Sequence, residues 1–156
     1  TLIKTLKRFK GLKYRQEKIF NSKKLTVIND SKSTTFSSSV SLLKSLTNAH
    51  WIVGGLAKKG DKFSLSKNNC KNFKAYIFGR KKNLFVKALK KKMTYESFSH
   101  LEHSIKKIFL DIKNDIDQTH PTILFSPSAA SFDSFKNFED RGRYFNSLIK
   151  KFKNAK

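Results

Sequence analysis

Short apolar runs alternate with segments of helical periodicity along most of this chain of 156 residues. Two parallel strands must be joined by a crossover, usually a helix, so this alternation favours a parallel sheet. Helices then cover both faces, because a central strand presents apolar side chains on two sides. The pattern therefore predicts one α/β domain built around a mostly parallel sheet.

The six predicted strands begin with a hairpin. Polar residues Asn21–Lys24 separate its two extended runs and are typical of a turn. The strands are Arg15–Phe20, Leu25–Ile28, Trp51–Val53, Ala75–Phe78, Thr94–Phe98 and Thr122–Phe125. We therefore expect a Rossmann-like, six-stranded sheet in which the hairpin supplies one antiparallel edge strand.

Helices are predicted wherever apolar residues recur at helical spacing. Such segments surround Val40, Leu89, Ile105 and Leu148. Ser99–Glu102 match a capping box, which predicts that Ser99 caps the third of these helices. Residues 2–9 also show one apolar helical face, and Gly11 is suited to end that helix.

The strongly basic composition raises the alternative of a nucleic-acid- or polyanion-binding module. The formal net charge is +23, which is a typical electrostatic footprint of such proteins. The positive charge is almost entirely lysine, however, whereas arginine is the usual reader of base edges. Because the lysines are spread along the chain, we interpret them as a compositional bias and keep nucleic-acid binding as the alternative function.

Cysteine, histidine and hydropathy limit the compartment and the metal chemistry. The single cysteine, Cys70, excludes an internal disulfide and is consistent with a reducing compartment. One cysteine and four scattered histidines predict no zinc site, and no apolar run approaches the roughly 20 residues of a membrane span. These features favour a cytoplasmic protein without membrane insertion or a metal site of its own.

Three polar loops follow predicted strand ends, namely Asn29–Thr35, Gly54–Asp61 and Ser126–Asp133. In a parallel sheet, loops at the carboxyl ends of strands collect at one edge, where ligands bind. Hydroxyl groups, lysines and the free backbone N–H groups at a helix start all suit a carboxylate or a phosphate. The loops together predict one anion-binding site.

The second loop has the glycine spacing of a P-loop without its chemistry. Gly55 and Gly60 are correctly spaced, but Asp61 and Lys62 stand where that motif needs Lys and then Ser or Thr. A carboxylate at that position repels a phosphate. The sequence therefore predicts no triphosphate-binding loop in this chain.

Four segments occur in an order and at separations that match a known family: Gly11–Arg15, Asn29–Thr34, Gly54–Asp61 and Ser126–Gly142. They resemble the C-terminal domain of the Mur ligases, in particular the family member that adds D-glutamate. The segment from Ser131 onward separates that member from its sisters, and the Asp-Asn-Pro-Arg signature of the enzyme that adds diaminopimelate or lysine is absent. Tyr14 departs from the family, which often has His at that place.

The resemblance implies a set of residues for D-glutamate. They are Thr34, Lys58, Ser131 and Phe138. A cation, hydroxyl donors and helix-terminal amides suit a ligand with two carboxylates. Other roles stay open: helix capping for Thr34 and Ser131, and core packing for Phe138.

The resemblance also implies that Arg15 and Asp30 contact the nucleotide, and that Lys32 offsets negative charge at the acyl phosphate. An arginine suits phosphates, and a carboxylate suits the hydroxyl groups of a ribose. The alternatives are a mutual ion pair between Arg15 and Asp30 and a solvated surface position for Lys32.

A complete reaction, as the resemblance implies it, needs parts beyond this domain. Family members use ATP and Mg²⁺ to activate the carboxylate of UDP-N-acetylmuramoyl-L-alanine, and the amine of D-glutamate then displaces phosphate. An N-terminal and a central domain of the same protein hold the UDP end, the P-loop and the metal. Residues 1–11 are accordingly expected to end the central ATPase domain and its linker, and residues 12–156 to form the C-terminal domain, which should be inactive alone.

Overall fold

The structure, a computed structural model, describes residues 11–155. The predicted helix at residues 2–9 lies outside the described residues. The described part forms one six-stranded sheet with helices packed on both of its faces.

The strands of the sheet are β1 (Glu17–Asn21), β2 (Thr26–Asn29), β3 (Ala49–Gly54), β4 (Phe73–Phe78), β5 (Thr94–Phe98) and β6 (Thr122–Phe125). Their spatial order is β1-β2-β6-β3-β4-β5. The pair β1 and β2 is antiparallel, and the four other neighbouring pairs are parallel. The predicted α/β fold, a Rossmann-like and mostly parallel sheet with one antiparallel edge strand, is confirmed.

The α-helices of the described residues are α1 (Phe36–Leu43), α2 (Asn83–Leu89), α3 (Leu101–Asn114) and α4 (Phe138–Asn154). A short 3₁₀ turn at Asn68–Cys70 precedes β4. Helices α1 and α2 contribute to one core, which contains Trp51, whereas α3 and α4 contribute to the other, which contains Ile52. Successive residues of β3 thus enter opposite cores, as expected for a strand covered on both faces.

Two local predictions were wrong. The first strand begins at Glu17 and not at Arg15, because Gln16 has a φ of 48° and interrupts the extended run. The N-cap of α3 is His100 and not Ser99, and its side chain forms no capping bond. The carboxylate of Glu102 accepts instead from Lys151 of α4 at 2.6 Å, so the acidic side chain that a capping box requires pairs with a neighbouring helix.

Candidate functional site

The structure brings the three predicted loops together at the carboxyl edge of the sheet. Their strands are neighbours in the order β2-β6-β3, so the loops leave the sheet side by side. Asp30 N donates to Phe125 O at 2.7 Å, and Gly54 N donates to Pro127 O at 3.0 Å. Leu56 and Ala130 exchange two backbone bonds of 3.1 Å. The loop after β6 is therefore bonded directly to the loops on either side of it.

A buried cluster of serine hydroxyl groups joins the same loops below the surface. Ser39 Oγ of α1 lies 2.9 Å from Ser33 Oγ, 2.6 Å from Ser126 Oγ and 2.5 Å from Ser128 Oγ. All four side chains are almost fully inaccessible to solvent. Small hydroxyl residues suit this place because each can donate and accept at once. The serines that the sequence analysis associated with anion binding thus also hold the loops in register.

Asp30 lies at the end of this cluster and is itself buried. Ser126 Oγ donates to its Oδ2 at 2.8 Å, and Gln16 N donates to its Oδ1 at 3.0 Å. Burial raises the pKa of the Asp30 carboxyl, while these two bonds and the Arg15 guanidinium lower it. Arg15 is exposed and lies within 4 Å of no carboxylate of the described residues, so the alternative of a mutual ion pair is not realised. Asp30 instead fixes the backbone beside Arg15.

Arg141 of α4, a residue for which no role was predicted, connects the loops of the site through hydrogen bonds. It is 1% exposed. Its Nη2 donates to Ser31 O at 2.6 Å, its Nε to Ser31 Oγ at 3.1 Å and its Nη1 to Ala129 O at 3.0 Å. Ser31 Oγ in turn donates to Phe138 O at 2.7 Å. One guanidinium therefore bonds the loop after β2 and the loop after β6. Ser31 extends this network to the carbonyl group of Phe138 at the start of α4.

Desolvation lowers the pKa of Arg141 to about 10, against the opposing fields of Asp133 and Asp30. The side chain is still charged at neutral pH. A signal for it existed in the sequence: arginine is rare in this lysine-rich chain, and a rigid fork of donors is what a lysine cannot replace. An arginine here indicates a position that needs several fixed hydrogen bonds.

The packing of Tyr14 explains why the segment Ser126–Gly142 ends in a glycine. A Cβ at this residue would lie 2.3 Å from Cδ1 of Tyr14, whose ring packs directly against the helix backbone. Asn29 Nδ2 completes the contact by donating to Gly142 O at 3.0 Å. Tyr14, which has a φ of 61°, also accepts from Lys32 N at 3.0 Å through its own carbonyl oxygen. The residue that departs from the family thus anchors the segment that presents Lys32.

The structure places the predicted ligand-contacting side chains above this buried base. Arg15, Lys32, Thr34 and Lys58 are exposed, Phe138 is half-buried, and Ser131 is 3% exposed. Lys58 and Ser131 belong to loops joined by the pairing of Leu56 with Ala130. The first four form a cationic and hydroxyl-bearing rim, which we call the rim below.

Lys32 and Phe138 lie in direct contact although they are 106 residues apart in sequence. The Nζ of Lys32 lies 4.1 Å from the centroid of the Phe138 ring, which is cation–π geometry. Phe138 belongs to neither apolar core. The alternative of plain core packing for Phe138 is therefore not realised, whereas Lys32 is an exposed surface residue whose ammonium contacts the Phe138 ring.

Neither Thr34 nor Ser131 caps a helix, so the capping alternative for these residues was wrong. Thr35 is the N-cap of α1, and its hydroxyl accepts from Ser38 N. Asn137 is the N-cap of α4 and accepts from Asp140 N at 2.8 Å. The caps are one residue and six residues further along the chain.

Asp61 has a structural role at the position where the sequence departs from a P-loop. Its Oδ2 accepts from Phe36 N at 2.7 Å, in the first turn of α1. A carboxylate there satisfies a free backbone donor and complements the positive end of the helix dipole. Asp61 therefore ties the loop after β3 to the helix that follows β2.

A fourth loop reaches this edge, which the sequence analysis did not include. Gly79 follows β4 with a φ of 105°, and a Cβ there would lie 3.6 Å from Asp133 Oδ2 and 3.7 Å from Gly55 N. Desolvation raises the pKa of Asp133, and the fields of Arg141 and of the exposed Arg80 oppose that rise. The loop therefore adds an arginine to the neighbourhood of the site.

Neither a cluster of metal ligands nor a membrane-spanning helix is found among residues 11–155. No group of three or more His, Cys, Asp or Glu side chains within that range is placed to hold a metal ion. None of its helices is long and apolar enough to cross a bilayer.

Comparison with curated proteins finds relatives along nearly the whole chain. It is 37% identical over 145 residues to the UDP-N-acetylmuramoylalanine–D-glutamate ligase of Wolbachia pipientis wMel. That alignment covers 93% of this chain and 28% of the relative. It is 32% identical over 150 residues to the enzyme of the same name from Rickettsia felis, and this alignment covers 96% of this chain and 33% of the relative. The chain belongs to the Mur ligase family.

The chain spans about a third of the length of the curated relatives that it matches, and corresponds to the C-terminal part of these D-glutamate ligases. No family model matches it. Among solved structures, it aligns with the MurF ligase from Thermotoga maritima in complex with ADP over 96% of this chain and 36% of that one. That alignment has a TM-score of 0.49 and 16% identity.

Proposed function

We propose that residues 12–156 are the C-terminal domain of an ATP-dependent ligase that adds D-glutamate to UDP-N-acetylmuramoyl-L-alanine in peptidoglycan precursor synthesis. The relatives that match more than nine-tenths of the chain bear the name of that enzyme. In this proposal residues 1–11 end the central ATPase domain and its linker, the partners are the N-terminal and central domains of the same protein, and the enzyme is cytoplasmic.

The observation that supports this function best is the contrast between the rim and the base of the site. The exposed side chains of the rim offer two ammonium groups, a guanidinium and a hydroxyl. Lys32 and Thr34 stand on the loop after β2, which Arg141 and the serine cluster bond to the loop after β6. The backbone of the Lys58 loop is fixed by the pairing of Leu56 with Ala130, and the backbone beside Arg15 is fixed by the bond from Gln16 N to Asp30. A dianionic amino acid and a nucleotide need cations that are held in place before the ligand arrives, which lowers the entropic cost of binding.

For D-glutamate we propose Lys58, Thr34, Ser131 and Phe138. Lys58 supplies the cation for a carboxylate, and Thr34 supplies a hydroxyl donor. Ser131 lies in the loop that is paired with the Lys58 loop, so the two can act on one ligand. Phe138 contributes through the backbone at the start of α4, where its carbonyl is already fixed by Ser31.

For the nucleotide we propose Arg15, positioned by Asp30. The guanidinium is exposed and suits the phosphates of ATP or ADP. The Asp30 carboxyl is 4% exposed and accepts bonds at both oxygens, so its first contribution is to order the backbone of Gln16 next to Arg15. Its remaining lone pairs suit a ribose hydroxyl.

In the first proposed step, a carboxylate oxygen of the precursor bonds to the γ-phosphorus of ATP and the bond from that phosphorus to ADP breaks, so ADP leaves. The second step forms one C–N bond and breaks one C–O bond. ATP, with Mg²⁺ held by the other domains, supplies the phosphoryl group that converts the precursor carboxylate into an acyl phosphate. The amine of D-glutamate attacks the acyl carbon, loses a proton, and inorganic phosphate leaves. Lys32 offsets negative charge on the departing phosphate, and the ring of Phe138 keeps its ammonium in place.

The test joins this chain to the N-terminal and central domains of the Wolbachia pipientis relative. The hybrid should release ADP only when D-glutamate and UDP-N-acetylmuramoyl-L-alanine are both present. Absence of release with every amino acid, from a hybrid that is folded and still binds ATP, would contradict the proposed function. The isolated chain should bind both ligands weakly, because the site lies between domains.

Within that hybrid, Lys58→Ala should raise the KM for D-glutamate by about tenfold or more, since it removes one charge-assisted hydrogen bond. Lys59→Ala is the matched control, because Lys59 is the adjacent exposed lysine of the same loop. Equal KM values for the two variants would remove Lys58 from the D-glutamate site.

A further inference from the structure

A cavity lies at the amino edge of the sheet, opposite the candidate site described above. It has a volume of about 780 Å³ and is bounded by residues 67–73, which lead into β4, and residues 90–95, which lead into β5. Cavities that hold small molecules measure roughly 300–1,000 Å³. The cavity is therefore of a size for a small ligand, at the amino ends of two strands that the proposed reaction does not use.

The floor of this cavity is apolar. Cys70, Phe73 and Met93 line it and are 1%, 6% and 8% exposed, so each belongs to the core beneath. Tyr95 on β5 forms a wall and is 37% exposed. A cysteine, a methionine and two aromatic rings together present polarisable, apolar surface. Such a floor favours an aliphatic or aromatic group.

The opening of the cavity is lined by cationic side chains. Its lining includes Lys67, Lys71, Lys90, Lys91 and Lys92. Among the described residues, no carboxylate lines it. The surrounding sequence shares this bias: residues 62–95 contain eleven Lys and Arg and neither Asp nor Glu. An opening ringed by one sign of charge concentrates ions of the other sign.

One of these lysines acts at the floor itself. Burial raises the pKa of the Cys70 thiol, and the ammonium group of Lys92 opposes that rise. A cation whose field reaches the floor is placed to meet the charged end of a ligand whose apolar part lies on Phe73 and Met93. Lys92 therefore lies close enough to the floor for its charge to act there.

We propose that this cavity binds a small, soluble anionic amphiphile, with its apolar chain on Cys70, Phe73 and Met93 and its carboxylate or phosphate among the lysines. A bilayer surface fits less well because the apolar floor lies at the bottom of a concavity and does not protrude. A nucleic-acid strand fits less well because its backbone needs an extended cationic track rather than an apolar floor. This proposal is independent of the proposed ligase function.

The probe is decyl phosphate, kept below the concentration at which it forms micelles and added to the isotopically labelled 156-residue chain. We expect saturable shifts of backbone amide signals that are confined to residues 67–73 and 90–95. Inorganic phosphate at the same concentrations should produce no such shifts, because it lacks the apolar chain. Shifts with inorganic phosphate that equal those with decyl phosphate would overturn the proposal, as would the absence of any saturable shift.

The decisive variant is Lys90→Gln/Lys91→Gln/Lys92→Gln. It should weaken binding about tenfold or more, since charge-assisted contacts are lost. The control, Lys18→Gln/Lys23→Gln/Lys24→Gln, removes the same charge at the β1 edge of the sheet. Five strand spacings, roughly 24 Å, separate the edges and exceed the Debye length, so the control should weaken binding less than about threefold.

Equal weakening by the two triple variants would show binding through net charge alone and would overturn the proposal. Tight binding of an acidic peptide or of duplex DNA, with no response to decyl phosphate, would also overturn it in favour of a macromolecular partner. Both triple variants replace lysines at the surface or its margin, and unchanged amide spectra away from the changed residues verify the fold.

Discussion

The two edges of the sheet both contain polar networks, but they are built from different groups. At the carboxyl edge, Arg141 is held by two carbonyl oxygens and a hydroxyl group, none of which titrates. At the amino edge, His50 contacts Tyr76, whose hydroxyl donates to Asp111. The first network joins loops around a permanent charge, whereas the second joins groups that gain or lose protons. The loss of stability in acid should therefore arise at the edge that does not bind the proposed substrates.

The amino-edge network reaches from the centre of the sheet to its surface. His50 Nδ1 lies 2.9 Å from Tyr76 Oη, and its Nε2 lies 2.8 Å from Gln118 Oε1. Asp111 of α3 accepts from Tyr76 at 2.6 Å and from Lys74 at 2.8 Å. The network thus pins the connector after α3 and the helix itself to β3 and β4.

The largest effect should come from Arg141→Met. The substitution keeps the apolar stem but leaves the carbonyl groups of Ser31 and Ala129 without their buried donors, so we expect a loss of about 3 kcal/mol of unfolding free energy. Urea denaturation of the chain measures it. Arg143→Met is the control, because Arg143 is exposed and its ion pair with Asp140 spans 3.4 Å at the surface. Equal losses in the two variants would show that the buried bonds do not stabilise the site.

A smaller effect is expected from Gly142→Ala. Alanine favours a helix over glycine by about 1 kcal/mol, but its Cβ would overlap the Tyr14 ring, so we expect a net loss of about 2 kcal/mol. The double variant Tyr14→Ala/Gly142→Ala separates the two contributions. In the Tyr14→Ala background, the same glycine substitution should be neutral or stabilising, and a persistent loss there would show that the ring is not the cause.

The fold could be predicted because its determinants are local and periodic. Trp51–Val53 and Thr122–Phe125 are short apolar runs with turn residues after them, and each became a buried strand. The start of β1 could not be predicted, since the positive φ of Tyr14 and Gln16 follows from their contacts with Glu17, Asp30 and Lys32. Backbone conformations fixed by distant residues leave no periodic signal.

The candidate site, like the fold, could be predicted only in part from the sequence. The loops were predictable because the parallel orientation of the strands places their carboxyl ends at one edge, and the roles of the rim residues came from the resemblance. The role of Arg141 was not predicted, because its partners are 12 and 110 residues away and are mostly backbone carbonyl groups. A carbonyl group has no identity in a sequence, so the side chain that binds it has no visible partner.

The pH dependence of stability should distinguish the two edges. Burial lowers the pKa of His50 below its ordinary value of 6.5, so the folded state holds it neutral. Its stabilising contribution is present above that unfolded value and is lost as the pH falls below it. Denaturation midpoints should therefore decrease below about pH 6.5 and should do so less in His50→Gln. Equal decreases in both proteins would place the acid response elsewhere.

Two carboxyl groups act at lower pH and with opposite signs. Asp111 has its pKa lowered to about 2 by bonds from Lys107, Lys74 and Tyr76 that outweigh its desolvation, so its contribution is lost only as the pH falls from about 3.8 towards 2. Burial raises the pKa of Asp30 at the carboxyl edge, so protonation there favours the folded state. The acid loss should therefore belong to the amino edge in both pH windows.

The smallest effects concern lysines of the two edges. Lys74 donates to Asp111 and to Glu96 within one network, so Lys74→Met should cost about 1 kcal/mol of unfolding free energy. Lys58→Met should change it by less than about 0.5 kcal/mol, because its ammonium lies within 4 Å of no carboxylate of residues 11–155. Lys32→Met should cost at most about 0.5 kcal/mol, because only the exposed cation–π contact with Phe138 is lost. The two rim variants should nevertheless impair ligation by the hybrid enzyme, whereas Lys74→Met should leave its KM values unchanged. Cations that form no ion pair in the free domain remain available to a ligand, and a loss above about 1 kcal/mol in either variant would show that its lysine has a structural role.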